Sequence, residues 1–332
     1  MNYDQRHMDH ALRLAVRGLG NVWPNPAVGC VLVRDGRIVG RGWTQPGGRP
    51  HAERMALQQA GEAARGATAY VTLEPCAHHG RSSPCADALI AAGVVRVVSA
   101  LTDPDPRTAG QGHRKLRDAG IEVTEHICSA EAARLQRGFL NRIEHGRPMI
   151  TLKLASSLDG RIATASGESQ WITGPEARRH VHLLRSRHDA IMVGGGTAHA
   201  DRPSLNVRGI STPRQPARVI VSSRTLPELP AEDDRHGPLW QVSGPLDEAM
   251  KSLAERGVTR VFCEGGGQLA ASLLAADLVD DLVFYSAGLV LGAAGRPSVG
   301  DLPCAALREM PRFRLVRSCP VGADLFQLWT RR

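Results

Sequence analysis

Apolar residues recur on one side of the first polar stretch. Met8, Leu12, Ala15 and Val16 share a face of residues 4–19, which predicts an amphipathic helix. Val22-Trp23-Pro24-Asn25-Pro26 breaks that period. The pattern then becomes a continuous apolar run, Val28 to Val33, which turns at Asp35-Gly36 into Ile38 to Gly42 and predicts a buried hairpin. Short apolar runs at Val94 to Leu101 and Ile121 to Val123 read as strands. Helices are predicted at Asp87 to Ala92, at Arg114 to Ala119 and from about Ala130 to Arg142, with Asp103-Pro104-Asp105-Pro106 as a loop. Strand and helix alternating at this spacing predict a mostly parallel sheet with helices on both faces.

After a linker at Glu144 to Pro148 the pattern starts again with a strand, Met149 to Ala155. Further strands are predicted at Ala190 to Val193, Arg218 to Ser222, Leu239 to Val242, Val258 to Cys263 and Leu282 to Ser286, and helices near 175–187, 246–256 and 268–276. This is a second α/β sheet. With 332 residues the chain is long for one core, so two domains are expected, 1–146 and 147–332.

Composition narrows the function classes. A formal net charge of +8 raises nucleic acid as a partner, but the basic residues are scattered, nearly all are arginine, and aromatics make up only 4%. Neither a phosphate-tracking stripe nor a base-stacking platform is expected, and small phosphorylated ligands account for the charge equally well. Seven cysteines at irregular spacing argue for a reducing compartment. No apolar run approaches the ~20 residues of a membrane span, and no apolar segment follows Met1 as in a signal peptide. The expectation is a soluble, cytoplasmic protein without nucleic-acid or membrane partners.

The chemistry concentrates between His51 and Cys85. His51-Ala52-Glu53 is followed by Pro75-Cys76 and, eight residues further on, Cys85. Two thiols and an imidazole can hold Zn²⁺ and leave the fourth tetrahedral position to water, whose pKa falls to about 7. Glu53, kept off the metal, would move the proton from that water to the ring nitrogen and the departing ammonia, as in zinc deaminases. Residues two apart on a helix point roughly 200° away from each other, so His51 and Glu53 share a pocket only if His51 precedes or opens the first turn. Ser83 reads as an N-cap and Pro84 as the first helical residue, which would put Cys85 where main-chain N–H groups favour a thiolate. The bland alternative is a structural zinc site or buried free cysteines. It leaves His51 and Glu53 at signature spacing unexplained.

Elsewhere the residues leave readings open. Asn25, between two prolines ahead of a core strand, suits either a turn or a pocket rim. Gly194-Gly195-Gly196-Thr197 and Glu264-Gly265-Gly266-Gly267 each follow a strand, as turns or as phosphate-approaching loops. Lys153, one of three lysines, alternates with apolar residues on a strand, either at a solvated edge or lining a pocket.

The chain resembles, over nearly its whole length, the bifunctional riboflavin-biosynthesis deaminase and reductase family. The resemblance rests on Pro24-Asn25-Pro26-Ala27-Val28-Gly29, His51-Ala52-Glu53, Thr72-Leu73-Glu74-Pro75-Cys76 with Gly80-Arg81 and Pro84-Cys85, and Gly138-Phe139-Leu140. It continues in Lys153 to Arg161, Gly167 to Thr173 and Asp201 to Arg208. It implies a cytidine-deaminase-like α/β/α N-terminal domain and a dihydrofolate-reductase-like α/β C-terminal domain. The first would deaminate a phosphoribosylamino-pyrimidine with zinc held by His51, Cys76 and Cys85 and with Glu53 as the catalytic acid/base. The second would reduce the ribose C1′ with NADPH. Family NADP contacts fall on Ala155, Trp171, Thr197, Asp201, Ser223 and the segment Gly266, Gly267, Gln268, Leu269, Ala270, Ala271 and Ser272. Substrate contacts fall on Ser169, Arg185, Leu205, Arg208 and Glu264, with Asn25 and Lys153 as further candidates. Arg185 and Arg208 suit a bidentate phosphate clamp, and Lys153 and Asp201 suit polarisation of the ribose centre. The resemblance also suggests a homo-oligomer. Two positions depart from the pattern: Gly267 where the family often has proline, and Leu289 where it often has lysine. A rival reading, a deaminase of another nucleoside or of tRNA with a non-reductase second half, requires stacking aromatics and a basic stripe that the sequence lacks.

Overall fold

In a computed structural model, residues 2–78, 83–106, 108–303 and 306–332 are described. The chain separates into two compact units, Met1–Gly146 and Arg147–Arg332.

The first unit opens with α1 (Tyr3–Ala15), capped by Asn2, whose side chain accepts from Asp4 N–H while Gln5 reaches back to Asn2 N–H. The hairpin β1 (Gly29–Arg34) and β2 (Arg37–Trp43) turns at Asp35 and Gly36, both at positive φ, as a two-residue connection of this hand requires. Then come α2 (Ala52–Ala60), β3 (Thr68–Val71), α3 (Cys85–Ala91), β4 (Arg96–Ser99), α4 (Gln111–Asp118), β5 (Glu122–Thr124) and α5 (Ser129–His145). The sheet order is β2-β1-β3-β4-β5, with β1 antiparallel to both neighbours and β3, β4 and β5 parallel.

Period-two alternation assigns the two faces. Cys30, Leu32, Ala69, Val71 and Val97 pack with α2, α3 and α4, whereas Val31, Val33, Tyr70 and Val98 pack with α1 and the start of α5. Helix α2 lies unusually close to β2: a Cβ on Gly42 would come within 2.1 Å of Ala52 O. Glycine there lets the helix that carries the candidate chemistry sit directly on the strand.

The second unit contains β6 (Met149–Ser157), β7 (Arg161–Ala163), α6 (Pro175–Arg185), β8 (Ala190–Gly194), α7 (Gly195–Asp201), β9 (Ala217–Val221), β10 (Leu239–Val242) and α8 (Leu246–Glu255). It continues with β11 (Arg260–Gly265), α9 (Gly267–Ala275), β12 (Asp281–Ala287), β13 (Arg296–Pro297), β14 (Phe313–Val321) and β15 (Asp324–Arg331). Its main sheet runs β10-β9-β8-β11-β6-β12-β15-β14, parallel from β10 through β12. The closing hairpin β14–β15 was not predicted. β14 is a half-exposed edge strand interrupted by Arg314, Arg317 and Pro320, so it shows no clean alternation.

The strand order creates a crevice. From β8 the chain leaves toward β9, and from β11 it leaves over β6 toward β12, although β8 and β11 are neighbours. At such a switch point the loops beyond the carboxyl ends diverge and leave room for a ligand.

Candidate functional site

In the first unit, His51 stands at the N-cap of α2 with extended backbone (φ −70°, ψ 160°), and Glu53 lies in the first turn. This is the arrangement that the two-residue spacing demanded. His51 Nδ1 lies 3.7 Å from Cys76 Sγ and 3.4 Å from Cys85 Sγ, and the ligand atoms of the three residues all fall within 4.8 Å of one another. An imidazole nitrogen and a thiolate on one tetrahedral zinc, at about 2.1 and 2.3 Å, stand about 3.6 Å apart. The triad therefore fits zinc without rearrangement, through Nδ1 of the histidine. Glu53 is 3% exposed, and burial pushes its carboxyl up, opposed by His51. A carboxyl so raised suits proton transfer near neutral pH better than an ordinary one does.

Helix α3 starts one residue later than expected. Pro84 is extended (φ −52°, ψ 147°) and serves as the N-cap, so Cys85 is the first helical residue. The free N–H of Cys85 then points at the other thiol, 3.3 Å from Cys76 Sγ. Hydrogen bonds from Cys85 and His51 bring the Cys76 thiol down to about 4. Cys85 itself, the first residue of α3, is pushed up by Cys76 and by burial. Gly80-Arg81, part of the family resemblance, lies outside the described residues.

Glu74 is a positioning residue that sequence reasoning passed over. Its buried carboxylate accepts four main-chain N–H groups: Asp103 (3.1 Å) and Gly110 (2.9 Å) on Oε2, and Gly112 (2.8 Å) and His113 (3.1 Å) on Oε1. The last two open α4, where unpaired amides favour a negative charge. Gly112 also meets Pro75 closely: an added Cβ would lie 2.0 Å from its carbonyl oxygen. Cys76 is thereby held in the loop that follows β3. Asn25 is half-buried against the loop that leads into His51, where a Cβ on Gly48 would strike its Nδ2 at 1.9 Å. This favours the rim position over a free turn.

In the second unit, Lys153 lies on β6, between β11 and β12, so the edge-strand reading is excluded. Register sets Leu152 beside Cys263 on β11, which brings Lys153 next to Glu264. Burial lowers the Lys153 pKa, and Glu264 opposes the shift. Arg185, at the end of α6, grips Glu264 through Nε and Nη2 and sends Nη1 to Asn206 O (2.8 Å). Its guanidinium edge is thus occupied by a carboxylate, which corrects the expected two-arginine phosphate clamp. Arg208 is exposed, while Leu205 is buried at φ +48°.

The crevice between β8 and β11 is lined by the two glycine clusters. Gly194 caps α7, Gly266 caps α9, and Thr197 Oγ1 reaches Gly265 O at 3.4 Å. Added Cβ atoms on Gly196 and Gly265 would meet nothing within 4 Å, so the space beside them is open and the backbone can approach a ligand closely. This fits a dinucleotide such as NADPH. Within the expected contact segment Leu269, Ala270 and Ala271 are buried, whereas Ser272 is exposed, its Oγ donating to Gln268 O. Ala155 is partly buried on β6, Asp201 is exposed at the end of α7, and Ser223 is exposed beyond β9. Ser169 and Trp171 are exposed ahead of α6, with the Arg178 guanidinium 4.5 Å from the Trp171 ring.

The departure at Gly267 has a local reason, whereas nothing in the structure explains the side chain at Leu289. A Cβ on Gly267 would sit 2.8 Å from Pro297 O, and Gly300 N–H bonds to Gly267 O at 2.9 Å, so proline has no room here. At Leu289 the main chain is anchored instead, its carbonyl accepting Leu158 N–H at 2.8 Å. Asp159 then accepts Leu291 N–H (3.1 Å) and Gly292 N–H (2.7 Å).

Two family models match the chain: the cytidine and deoxycytidylate deaminase zinc-binding region over residues 1–101, and the RibD C-terminal domain over residues 148–326. The riboflavin biosynthesis protein RibD of Escherichia coli is 44% identical, with 97% of this chain and 98% of that protein covered. The structure of RibD from Acinetobacter baumannii superposes with a TM-score of 0.89 at 39% identity, covering 99% of both chains. A Thermotoga maritima diaminohydroxyphosphoribosylaminopyrimidine deaminase/5-amino-6-(5-phosphoribosylamino)uracil reductase gives 0.88 at 33% identity, again covering 99% of both. Similarity of this extent, together with a zinc triad and a glycine-lined crevice in the units where those models fall, establishes that the chain belongs to the RibD family of riboflavin biosynthesis proteins.

Proposed function

We propose that residues 1–146 carry the deaminase step and residues 147–332 the reductase step of a bifunctional riboflavin-biosynthesis enzyme. The substrates are small phosphorylated pyrimidines. The first unit converts the 2-amino group of diaminohydroxyphosphoribosylaminopyrimidine to a carbonyl, and the second reduces the resulting 5-amino-6-(5-phosphoribosylamino)uracil to its ribityl form. The observation that carries the reading is the His51–Cys76–Cys85 triad with a buried Glu53 and no other cluster of metal-ligating residues among the described residues.

His51, Cys76 and Cys85 would hold zinc, which would supply the Lewis acidity that makes a water nucleophilic at neutral pH. Glu53 accepts the proton and returns it to the ring nitrogen and then to the leaving ammonia. Asn25 orients the pyrimidine at the rim. In the second unit NADPH, when bound, supplies hydride. The glycine loops at 194–197 and 265–267 receive its phosphates, and Thr197, Trp171, Ala155, Asp201 and Ser223 flank it. Lys153, kept beside Glu264, donates a proton to the ribose oxygen as the ring opens, and Arg208 with Leu205 and Ser169 holds the phosphorylated substrate.

A homo-oligomer in the cytoplasm, without nucleic-acid partners, completes the reading. The six cysteines among the described residues are all free, in keeping with a reducing compartment, and no helix among those residues is long and apolar enough to cross a membrane. The test is a coupled assay of the purified protein that follows ammonia release and NADPH absorbance separately. Both signals are expected; ammonia without NADPH consumption would remove the reductase half of the proposal, and NADPH consumption only with deaminated substrate would remove the deaminase half.

A further inference from the structure

The loop 205–208 is held far more firmly than its length requires. Leu205 is buried with a left-handed backbone, a conformation that persists only where the surroundings enforce it. Val207 exchanges two hydrogen bonds with Gln215, N–H to Oε1 at 2.8 Å and Nε2 to O at 3.2 Å. Asn206 Nδ2 donates to Arg235 O at 3.0 Å. On the other side the loop is tied to α6 by both a carbonyl and an amide: Arg185 Nη1 donates to Asn206 O (2.8 Å), and Arg208 N–H donates to His182 Nδ1 (3.2 Å). His182 and Arg185 are three residues apart, so one face of α6 grips the loop at two points.

An amide can donate to an imidazole nitrogen only if that nitrogen carries no hydrogen. His182 is therefore the neutral tautomer with its proton on Nε2. Its surroundings keep it so: burial, Arg185 on its own helix and Arg208 on the loop bring it down to about 4, with Glu264 of β11 and the Asn206 main chain opposing. A cationic His182 would lose the acceptor and stand beside two guanidinium groups.

We propose that His182 is a positioning residue of the reductase site, whose unprotonated Nδ1 fixes the Arg208 main chain and so aims the Arg208 side chain at the phosphate of the substrate. This rests on the reading of Arg208 as a phosphate contact. It separates two tasks that adjacent turns of one helix perform: Arg185 holds Glu264 for the ribose end, and His182 holds Arg208 for the phosphate end.

The test compares His182→Ala, His182→Asn and Arg208→Ala, each measured by NADPH oxidation with the deaminated phosphorylated substrate and with its dephosphorylated counterpart. Ammonia release from the same preparations serves as the folding control. Losing one hydrogen bond of this kind is expected to raise KM for the phosphorylated substrate about tenfold in His182→Ala, with kcat nearly unchanged and no change for the dephosphorylated one. Asparagine, whose Oδ1 can accept the Arg208 N–H, is expected to restore most of the loss. Arg208→Ala is expected to show the same selectivity, larger in size. If Arg208→Ala discriminates between the two substrates and His182→Ala does not, or if both substrates suffer equally in His182→Ala, the positioning role is overturned while the phosphate contact stands. If Arg208→Ala itself shows no discrimination, the phosphate reading beneath the proposal is what has failed.

Discussion

The two units solve the problem of assembling a site in opposite ways. In the first, every candidate ligand and the acid/base lie within the 35 residues from His51 to Cys85, and the helix starts that place them follow from local sequence. In the second, Lys153, Arg185, Arg208 and Glu264 come from three elements and a loop spread over more than a hundred residues, and they meet only because parallel strands align. A metal centre fixes its own donor types and spacing, so its signature is compact. A cofactor crevice is fixed by topology, and its signature is diffuse.

Five experiments would break or sharpen that contrast. Removal of zinc by chelation is expected to abolish ammonia release and to leave NADPH oxidation of deaminated substrate intact; recovery of ammonia release on adding zinc back completes the check. Glu53→Gln should retain zinc, as metal analysis would show, yet lose roughly 10²–10⁴-fold in ammonia release. A variant that still deaminates would refute the proton-transfer role. Lys153→Ala should lower NADPH oxidation about 10²-fold while sparing deamination, and unchanged reduction would demote Lys153 to a structural partner of Glu264.

The last two effects concern stability. Glu74→Gln leaves one acceptor oxygen and an NH₂ group facing four amides, and should destabilise the first unit by about 2–4 kcal/mol in denaturant unfolding. The smallest effect belongs to Asp4, whose carboxyl is held below its ordinary value chiefly by Arg96, with Tyr70 OH also donating to it at 2.8 Å. A lowered carboxyl stabilises the fold above the ordinary carboxylate range, and the contribution disappears as pH falls through the folded value. Asp4→Asn should therefore cost about 1 kcal/mol at neutral pH, and its melting temperature should converge with that of the unmodified protein in acid.

Much of this was legible beforehand, for particular reasons. His51 had to precede the first turn of α2 for its ring and Glu53 to share a pocket, and it does. The hairpin at Asp35-Gly36 and the strand–helix alternation carried both sheets. The contact of the Cys85 amide with Cys76 Sγ was not legible, because a shift of one residue at Pro84 redirects that amide. The pairing of Arg185 with Glu264 was equally hidden, since residues 79 apart share no local pattern.

The sequence by itself determined the candidate donor set for zinc, the candidate acid/base beside it, the two α/β units and the family. Those depend on side-chain chemistry and on periodicities of two and 3.6 residues, both of which are local. Only the tertiary structure decided that Lys153 is interior, that Gly267 leaves no room for proline, and that α6 grips the loop 205–208 through His182 and Arg185. Each of these is a contact between distant segments, set by strand order and close approach, and strand order is a property of the folded chain.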